Sequence, residues 1–226
     1  MGAVRGGDVS TDGGIASMVS AQEALERLRQ GNRRFVEEIR RRPSRDGSAR
    51  RLELAAGQEP FAAILGCSDS RVPVEIVFDQ GLGDLFVIRV AGNIVAPSQI
   101  GSVEFAAEQF CTRLVVVLGH SGCGAIDATL EQLQRRAAQQ SPHLRSIVDR
   151  VRPAVEGLLD TDLKNNPVEL ARQAVRANIR ASANQLRHGS QLIEQLILTG
   201  GLVVVGAEYS LETGVVDFID GVTDRS

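Results

Sequence analysis

Short apolar runs broken by Gly or polar clusters dominate the middle and end of the chain. They fall at 61–66 (FAAILG), 85–90 (LFVIRV), 114–119 (LVVVLG) and 202–206 (LVVVG). Each has the length of a strand, and continuous apolarity is what strands buried on both faces require. Between the runs, apolar residues recur at spacings of three and four over 100–111, 124–138, 143–158, 168–187 and 190–198, the period of an amphipathic helix. Strand and helix in alternation predict an α/β fold: a mostly parallel central sheet flanked by crossover helices. A further run, 215–219 (VVDFI), follows Leu211-Glu212-Thr213-Gly214, a turn with Gly at its end. It is expected to pair antiparallel at the sheet edge, giving four parallel strands plus one antiparallel edge strand.

Upstream of the sheet, Ser20 is placed to cap a helix, and Ala24, Leu25, Leu28, Phe35, Val36 and Ile39 follow at helical spacing. Residues 20–39 therefore predict one or two amphipathic helices. The preceding stretch is Gly-rich and aperiodic, so the chain divides into a flexible tail at 1–19 and a single domain at 20–226. Arginines crowd residues 27 to 51, with a basic loop around Pro43–Gly47. Such runs usually face water, although a surface of this kind can also dock on acidic groups of a partner.

With 226 residues, the chain can bury a core without help from disulfides or metal. Its 28 acidic and 25 basic residues give a formal net charge of −3, so no general positive field recruits nucleic acid. No apolar stretch approaches the roughly 20 residues that cross a bilayer, and no secretory signal opens the chain, which places it in the cytoplasm. The three cysteines, Cys67, Cys111 and Cys123, form no Cys-x-x-Cys pair, which argues against a disulfide framework or a dithiol redox site.

Two of these cysteines sit where strands are predicted to end. Cys67 directly follows FAAILG, and Cys123 closes His120-Ser121-Gly122-Cys123 after LVVVLG. Ligands bind outside the carboxyl ends of parallel strands, so the two segments can converge there. A separation of three lets His120 and Cys123 face one ion, with Cys67 as third ligand. Two thiolates and an imidazole suit zinc, and three protein ligands leave the open position of a catalytic site. Cys123 also precedes a predicted helix from Gly124, whose N-terminus favours a thiolate. Cys111 falls in the apolar pattern of Val103, Phe105, Ala106 and Phe110 and is expected in the core. Around the first ligand the sequence reads Cys67-Ser68-Asp69-Ser70-Arg71. A two-pronged pair between Asp69 and Arg71 would hold the carboxylate away from the metal and leave it to accept a hydrogen bond from the fourth ligand. His143 and His188 lie on helices remote from these motifs and are expected at the surface.

Cys67-Ser68-Asp69-Ser70-Arg71, Arg89-Val90-Ala91-Gly92-Asn93 and Gly119-His120-Ser121-Gly122-Cys123-Gly124, in that order, resemble the beta-class carbonic anhydrases over roughly residues 21–220. The resemblance implies one zinc ion per chain on Cys67, His120 and Cys123, with Asp69 and Arg71 as a catalytic dyad. It implies reversible hydration of CO2 to bicarbonate and a proton, by attack of zinc-bound hydroxide, with the backbone N–H near Gly124 steadying the oxyanion. It further implies a homodimer or dimer of dimers in which N-terminal helices wrap the partner. Gln58 matches a plant-type residue that hydrogen-bonds substrate across the dimer interface, while Phe86 and Ala91 match apolar pocket positions. Phe105 stands where plant-type members carry Tyr, and Val90 where Asn is usual. Some bacterial members add an inhibitory bicarbonate site of Trp, Arg and Tyr. Arg89 and Tyr209 match two of its positions, but Ile64 stands at the third and the chain has no Trp, so that site is expected to be absent or weak. Carbonyl sulfide or carbon disulfide hydrolysis would use the same centre with a different pocket. A closed, noncatalytic zinc scaffold would need Asp69 as fourth ligand.

Overall fold

The computed structural model describes residues 19–39, 47–135 and 141–222. The expected tail up to residue 18, residues 43–46 of the basic loop, Arg40, Arg41 and Arg42, and the predicted helix end at 136–138 lie outside the described residues. Five strands, β1 (Ala62–Gly66), β2 (Leu85–Arg89), β3 (Leu114–His120), β4 (Val203–Tyr209) and β5 (Val216–Asp220), form one sheet in the order β2-β1-β3-β4-β5. The first four are parallel, and β5 runs antiparallel to β4 at the edge, as its preceding turn predicts.

Alternate residues of the central strands feed two separate apolar layers, which is why these strands tolerate no polar face. Ala63, Leu65, Val115, Val117 and Val204 point to the layer covered by α4 (Pro97–Gln109), α5 (Gly124–Arg135), α6 (Pro142–Val155), α7 (Pro167–His188) and α8 (Gln191–Thr199). Ala62, Ile64, Val116, Leu118 and Val205 point to the other layer, covered by α1 (Ala21–Val36) and α3 (Val74–Val77). The Ser20 side chain caps α1 by accepting the Glu23 N–H at 3.2 Å. Asn32 ties the helix down, donating to the carbonyls of Val77 (3.1 Å) and Gly214 (2.8 Å) and accepting the Val216 N–H at 2.9 Å. In contrast, α2 (Ser48–Leu54) buries none of its residues.

Close approach of α7 to the sheet depends on two glycines. A Cβ on Gly119 would lie 2.6 Å from Ile179, and one on Gly206 would lie 2.7 Å from the same side chain. Ile179, fully buried, fills the space both leave free. This wedge fixes the register of α7 against β3 and β4.

The structure corrects the sequence expectation at Cys111, which is exposed. Helix α4 ends at Gln109, and the chain reverses through Cys111 in the left-handed region (φ 52°), with the N–H groups of Phe110 and Thr112 both returning to the Ala106 carbonyl. The apolar pattern thus runs past the last helical turn, and the side chain leaves the core at the reversal. The short helices α2 and α3 and the 3-10 turns at 91–93, 156–160 and 162–165 carry too few residues to show a period. His143 and His188 are exposed, as expected.

Candidate metal centre

Strand order places the site. The chain leaves β1 for β2 on one side and returns to β3 on the other, so the carboxyl ends of β1 and β3 flank the switch point where open α/β sheets form their crevice. Cys67 is the first residue beyond β1, and His120 is the last residue of β3. Gly122 (φ 61°) then turns the chain so that Cys123 immediately precedes α5. The ligand atoms of Cys67, His120 and Cys123 all lie within 4.8 Å of one another, and all three residues are buried.

The two sulfurs are 4.0 Å apart. That is nearly twice the 2.05 Å or so of a disulfide and close to the roughly 3.8 Å that zinc imposes on two thiolates in a tetrahedron. His120 Nδ1 lies 2.9 Å from the Ser121 carbonyl, which places the proton on Nδ1 and leaves a lone pair on Nε2. Among the described residues, Nε2 is buried without a hydrogen-bond partner. A buried ring nitrogen facing two sulfurs is a costly arrangement unless a cation accepts all three. The donor set and its spacing therefore fit a tetrahedral zinc ion.

Charge around the sulfurs is arranged to match. A hydrogen bond from the Cys123 thiol pulls the Cys67 thiol below its ordinary value against the cost of burial, and the neighbouring His120 and the Gly92 N–H, 3.4 Å from the sulfur, assist. Cys123 is pushed up by that same bond, by burial and by the charge on Cys67, while the N–H groups of Ile126 and Ala125 at the start of α5 oppose the rise. For His120, burial lowers the pKa, but the contacts with Cys67 and the Ser121 carbonyl outweigh it.

Asp69 and Arg71 form a two-pronged pair beside the cluster. Arg71 Nε donates to Asp69 Oδ1 at 2.9 Å and Nη2 to Oδ2 at 2.7 Å, and the Arg71 backbone N–H adds a third bond to Oδ1 at 3.0 Å. The guanidinium holds the Asp69 carboxyl well below the usual carboxylate range, against a smaller opposing effect of burial. Asp69 Oδ2 is 3.8 Å from His120 Nε2, facing the cluster without joining it. Arg71 Nη2 also donates to the Gly122 carbonyl at 3.1 Å, which ties the loop after β1 to the turn after β3.

Comparison with known proteins agrees with this geometry. A family model described as carbonic anhydrase matches residues 62–216. The chain belongs to the carbonic anhydrase family. Carbonic anhydrase 2 of Mycobacterium tuberculosis is 38% identical over 196 residues, covering 84% of this chain and 89% of that protein. The beta-carbonic anhydrase CcaA superposes with a TM-score of 0.69 at 28% identity, over 88% of this chain and 93% of that one. A tetrameric beta-carbonic anhydrase from Sordaria macrospora gives 0.67 at 25% identity, over 74% and 84%. Membership is thus of the beta class, whose fold this chain shares.

Other positions matched to carbonic anhydrases differ in how near they come to the three ligands. Ala91 opens the 3-10 turn next to Gly92, and Gly124 is exposed at the N-terminus of α5. Phe86 on β2 and Phe105 on α4 form an aromatic group with Phe110, with centroids 5.6–6.2 Å apart, and Phe105 is 51% exposed. Gln58 precedes β1, at the opposite end of the sheet from Cys67. It lines a surface hollow of about 580 Å³ with Arg51, Leu54 and Leu82. Val90 packs half-buried against the first layer, and Ile64 is fully buried in the second. Motif reading did not reveal the part played by Arg89: Nε donates to the Cys67 carbonyl at 2.9 Å and Nη2 to the Asp69 carbonyl at 2.5 Å, splinting the loop that carries both residues. Nor did it reveal the Gly92 N–H on Cys67. Both lie in the Arg89–Asn93 motif, but nothing in its spacing says which atoms do the work.

Proposed function

We propose that this chain catalyses the reversible hydration of CO2 to bicarbonate and a proton at one zinc ion held by Cys67, His120 and Cys123. The observation that carries this reading is the buried, unpartnered His120 Nε2 facing two sulfurs 4.0 Å apart, with Asp69 clamped beside it. When bound, zinc supplies Lewis acidity that lets a coordinated water lose its proton near neutral pH.

The chain's own residues do the rest. His120 is kept in one tautomer by the Ser121 carbonyl, so Nε2 stays available as a ligand. Arg71 occupies both oxygens of Asp69, which prevents the carboxylate from swinging in as a fourth ligand. Oδ2 retains acceptor capacity on the side facing the cluster, and there Asp69 orients the attacking group by accepting its proton in a hydrogen bond. The N-terminus of α5 at Gly124 lies next to the ligand Cys123, and its dipole favours negative charge developing on the substrate oxygen. Arg89 commits two donors to backbone carbonyls, and Ile64 is sealed in the core, which supports an enzyme without the inhibitory bicarbonate site.

A homodimer, or a dimer of dimers, completes the pocket. Gln58 lies four residues before β1, and a five-residue strand spans about 16 Å, so Gln58 reaches the metal centre of a second copy rather than its own. Helix α2 supports this, since none of its residues is fully buried within its own chain and Leu52 is 77% exposed. Among the described residues no helix is long and apolar enough to cross a membrane. A reducing cytoplasm suits ligands that must remain thiolates. Stopped-flow CO2 hydration on protein of measured zinc content tests the proposal. Turnover proportional to zinc supports it, whereas fully zinc-loaded protein without turnover overturns it.

A further inference from the structure

Asn178 lies in the middle of α7 on a buried face that, apart from Ser182, is apolar. It is 2% exposed, with Val175, Ile179 and Ala183 buried around it. A side-chain amide buried this deeply is costly unless its hydrogen bonds are made. Its Nδ2 donates to the Gly92 carbonyl at 2.8 Å. The N–H of the same glycine reaches Cys67 Sγ at 3.4 Å. Gly92 holds φ 70° and ψ 19°, and a Cβ there would lie 3.1 Å from Ala125 Cβ, so any side chain at this position is strained. A glycine that must be free of side chain is also free to rotate, and rotation would carry its N–H off the sulfur. The carbonyl anchor from α7 restricts that freedom, holding from one side the peptide unit whose other end, the Asn93 N–H, donates to the Val90 carbonyl at 3.0 Å. The Asn93 side chain adds nothing to it, because its buried Nδ2 has no hydrogen-bond partner among the described residues. Asn178 cannot slide away either, since the next residue, Ile179, is wedged against Gly119 and Gly206.

We infer that Asn178 is a positioning residue for the metal centre: by holding the Gly92 carbonyl it keeps the Gly92 N–H on the Cys67 sulfur and thereby sets how firmly Cys67 grips the ion. This rests on the reading of Cys67 as a zinc ligand. Partners that orient a ligand from behind it typically change metal affinity by about 10–100-fold when removed.

The test compares the full-length zinc protein with Asn178→Ala and Asn178→Asp, neither of which retains the amide donor. Zinc affinity is measured by chelator competition. The sulfur-to-cobalt absorption band is recorded after cobalt replacement, and the melting temperature is taken without metal. Zinc affinity is expected to fall by about tenfold in both variants, with a shifted cobalt band. Should either variant fold poorly, Asn178→Ser, whose hydroxyl stops short of Gly92, is expected to show the same two changes. Folded variants with wild-type zinc affinity and superimposable cobalt spectra overturn the inference, even if their metal-free melting temperatures fall. Wild-type protein that takes up neither ion overturns the zinc reading and this inference together. Wild-type uptake with unchanged variants overturns this inference alone.

Discussion

Replacing Asp69 by Asn removes one negative charge and changes almost no volume, so it isolates what the carboxylate does. In the folded protein Asp69 accepts three N–H groups from Arg71, at 2.9, 2.7 and 3.0 Å. An Asn in the same rotamer keeps the two bonds to Oδ1 but sets an NH2 group against Arg71 Nη2, donor to donor. Turning the amide over restores that contact and breaks the other two. Either way the fork opens: the atom that faces His120 Nε2 at 3.8 Å is then either an NH2 donor or an uncharged amide oxygen held by a single bond. Loss of one preorganised hydrogen-bonding group at a reacting centre costs about 10²–10³ in turnover, or roughly 2.7–4 kcal/mol of transition-state stabilisation. Zinc content is expected to stay complete, because Asp69 is not among the three ligands. Stopped-flow hydration alongside metal analysis of the same samples provides the measurement. Turnover within about threefold of wild type at full zinc would refute the role of Asp69, as would zinc loss in proportion to activity.

Arg71→Gln leaves Asp69 in place but lets its carboxyl rise toward the ordinary value of about 3.9. A carboxyl depressed in the folded state stabilises it above the ordinary value and loses that contribution as pH falls through the lowered one. The acid-side loss of activity is therefore expected to begin at higher pH in the variant, while the stability that wild type loses on acidification through this carboxyl is already missing from the variant at neutral pH, and superimposable acid titrations would count against the clamp. Alkylation followed by mass spectrometry is expected to modify exposed Cys111 equally with and without metal, while Cys67 and Cys123 become reactive only after chelation. Gly206→Ala places a Cβ 2.7 Å from Ile179 Cγ2 and 3.1 Å from Asp220 Cβ. Overpacking of this kind costs about 1–3 kcal/mol and should lower the melting temperature by about 2–12 °C, read by calorimetry.

What could be read from the chain before its fold was whatever depends on neighbours in sequence. Cys67-x-Asp69-x-Arg71 and His120-x-x-Cys123 are local, and each lies at the end of an apolar run, so the ligand set and the carboxylate clamp were visible as spacing. The strands were legible because burial on both faces removes polar residues altogether. Cys111 misled because no Gly or Pro marks the reversal after Gln109, and Cys111 itself takes the left-handed conformation that glycine usually supplies. Gln58 matched a pocket position by resemblance, yet its own chain places it at the far end of the sheet from Cys67. Asn178 gave no signal at all: it stands 86 residues from Gly92, and a polar residue within an amphipathic helix ordinarily marks the solvent face. Only the wedge of Ile179 into two glycines, a property of the packed sheet, turns it inward.

The electrostatics of the centre bear on which ion it selects. Two sulfurs 4.0 Å apart in a buried site cannot both ionise without nearby positive charge, and here the charge gathers on Cys67 while Cys123 is pushed upward. A monovalent cation would compensate one thiolate only. A dication compensates both, and an imidazole fixed in its metal-ready tautomer completes a soft three-ligand set that excludes magnesium and calcium, whose preference is for oxygen. The Asp69 carboxylate, 3.8 Å from His120 Nε2, is held back by Arg71 through both of its oxygens. On the proposed reading the same clamp that readies Asp69 for its hydrogen bond would keep the coordination sphere at two sulfurs and one nitrogen, and a variant without Arg71 is where a fourth protein ligand should first emerge.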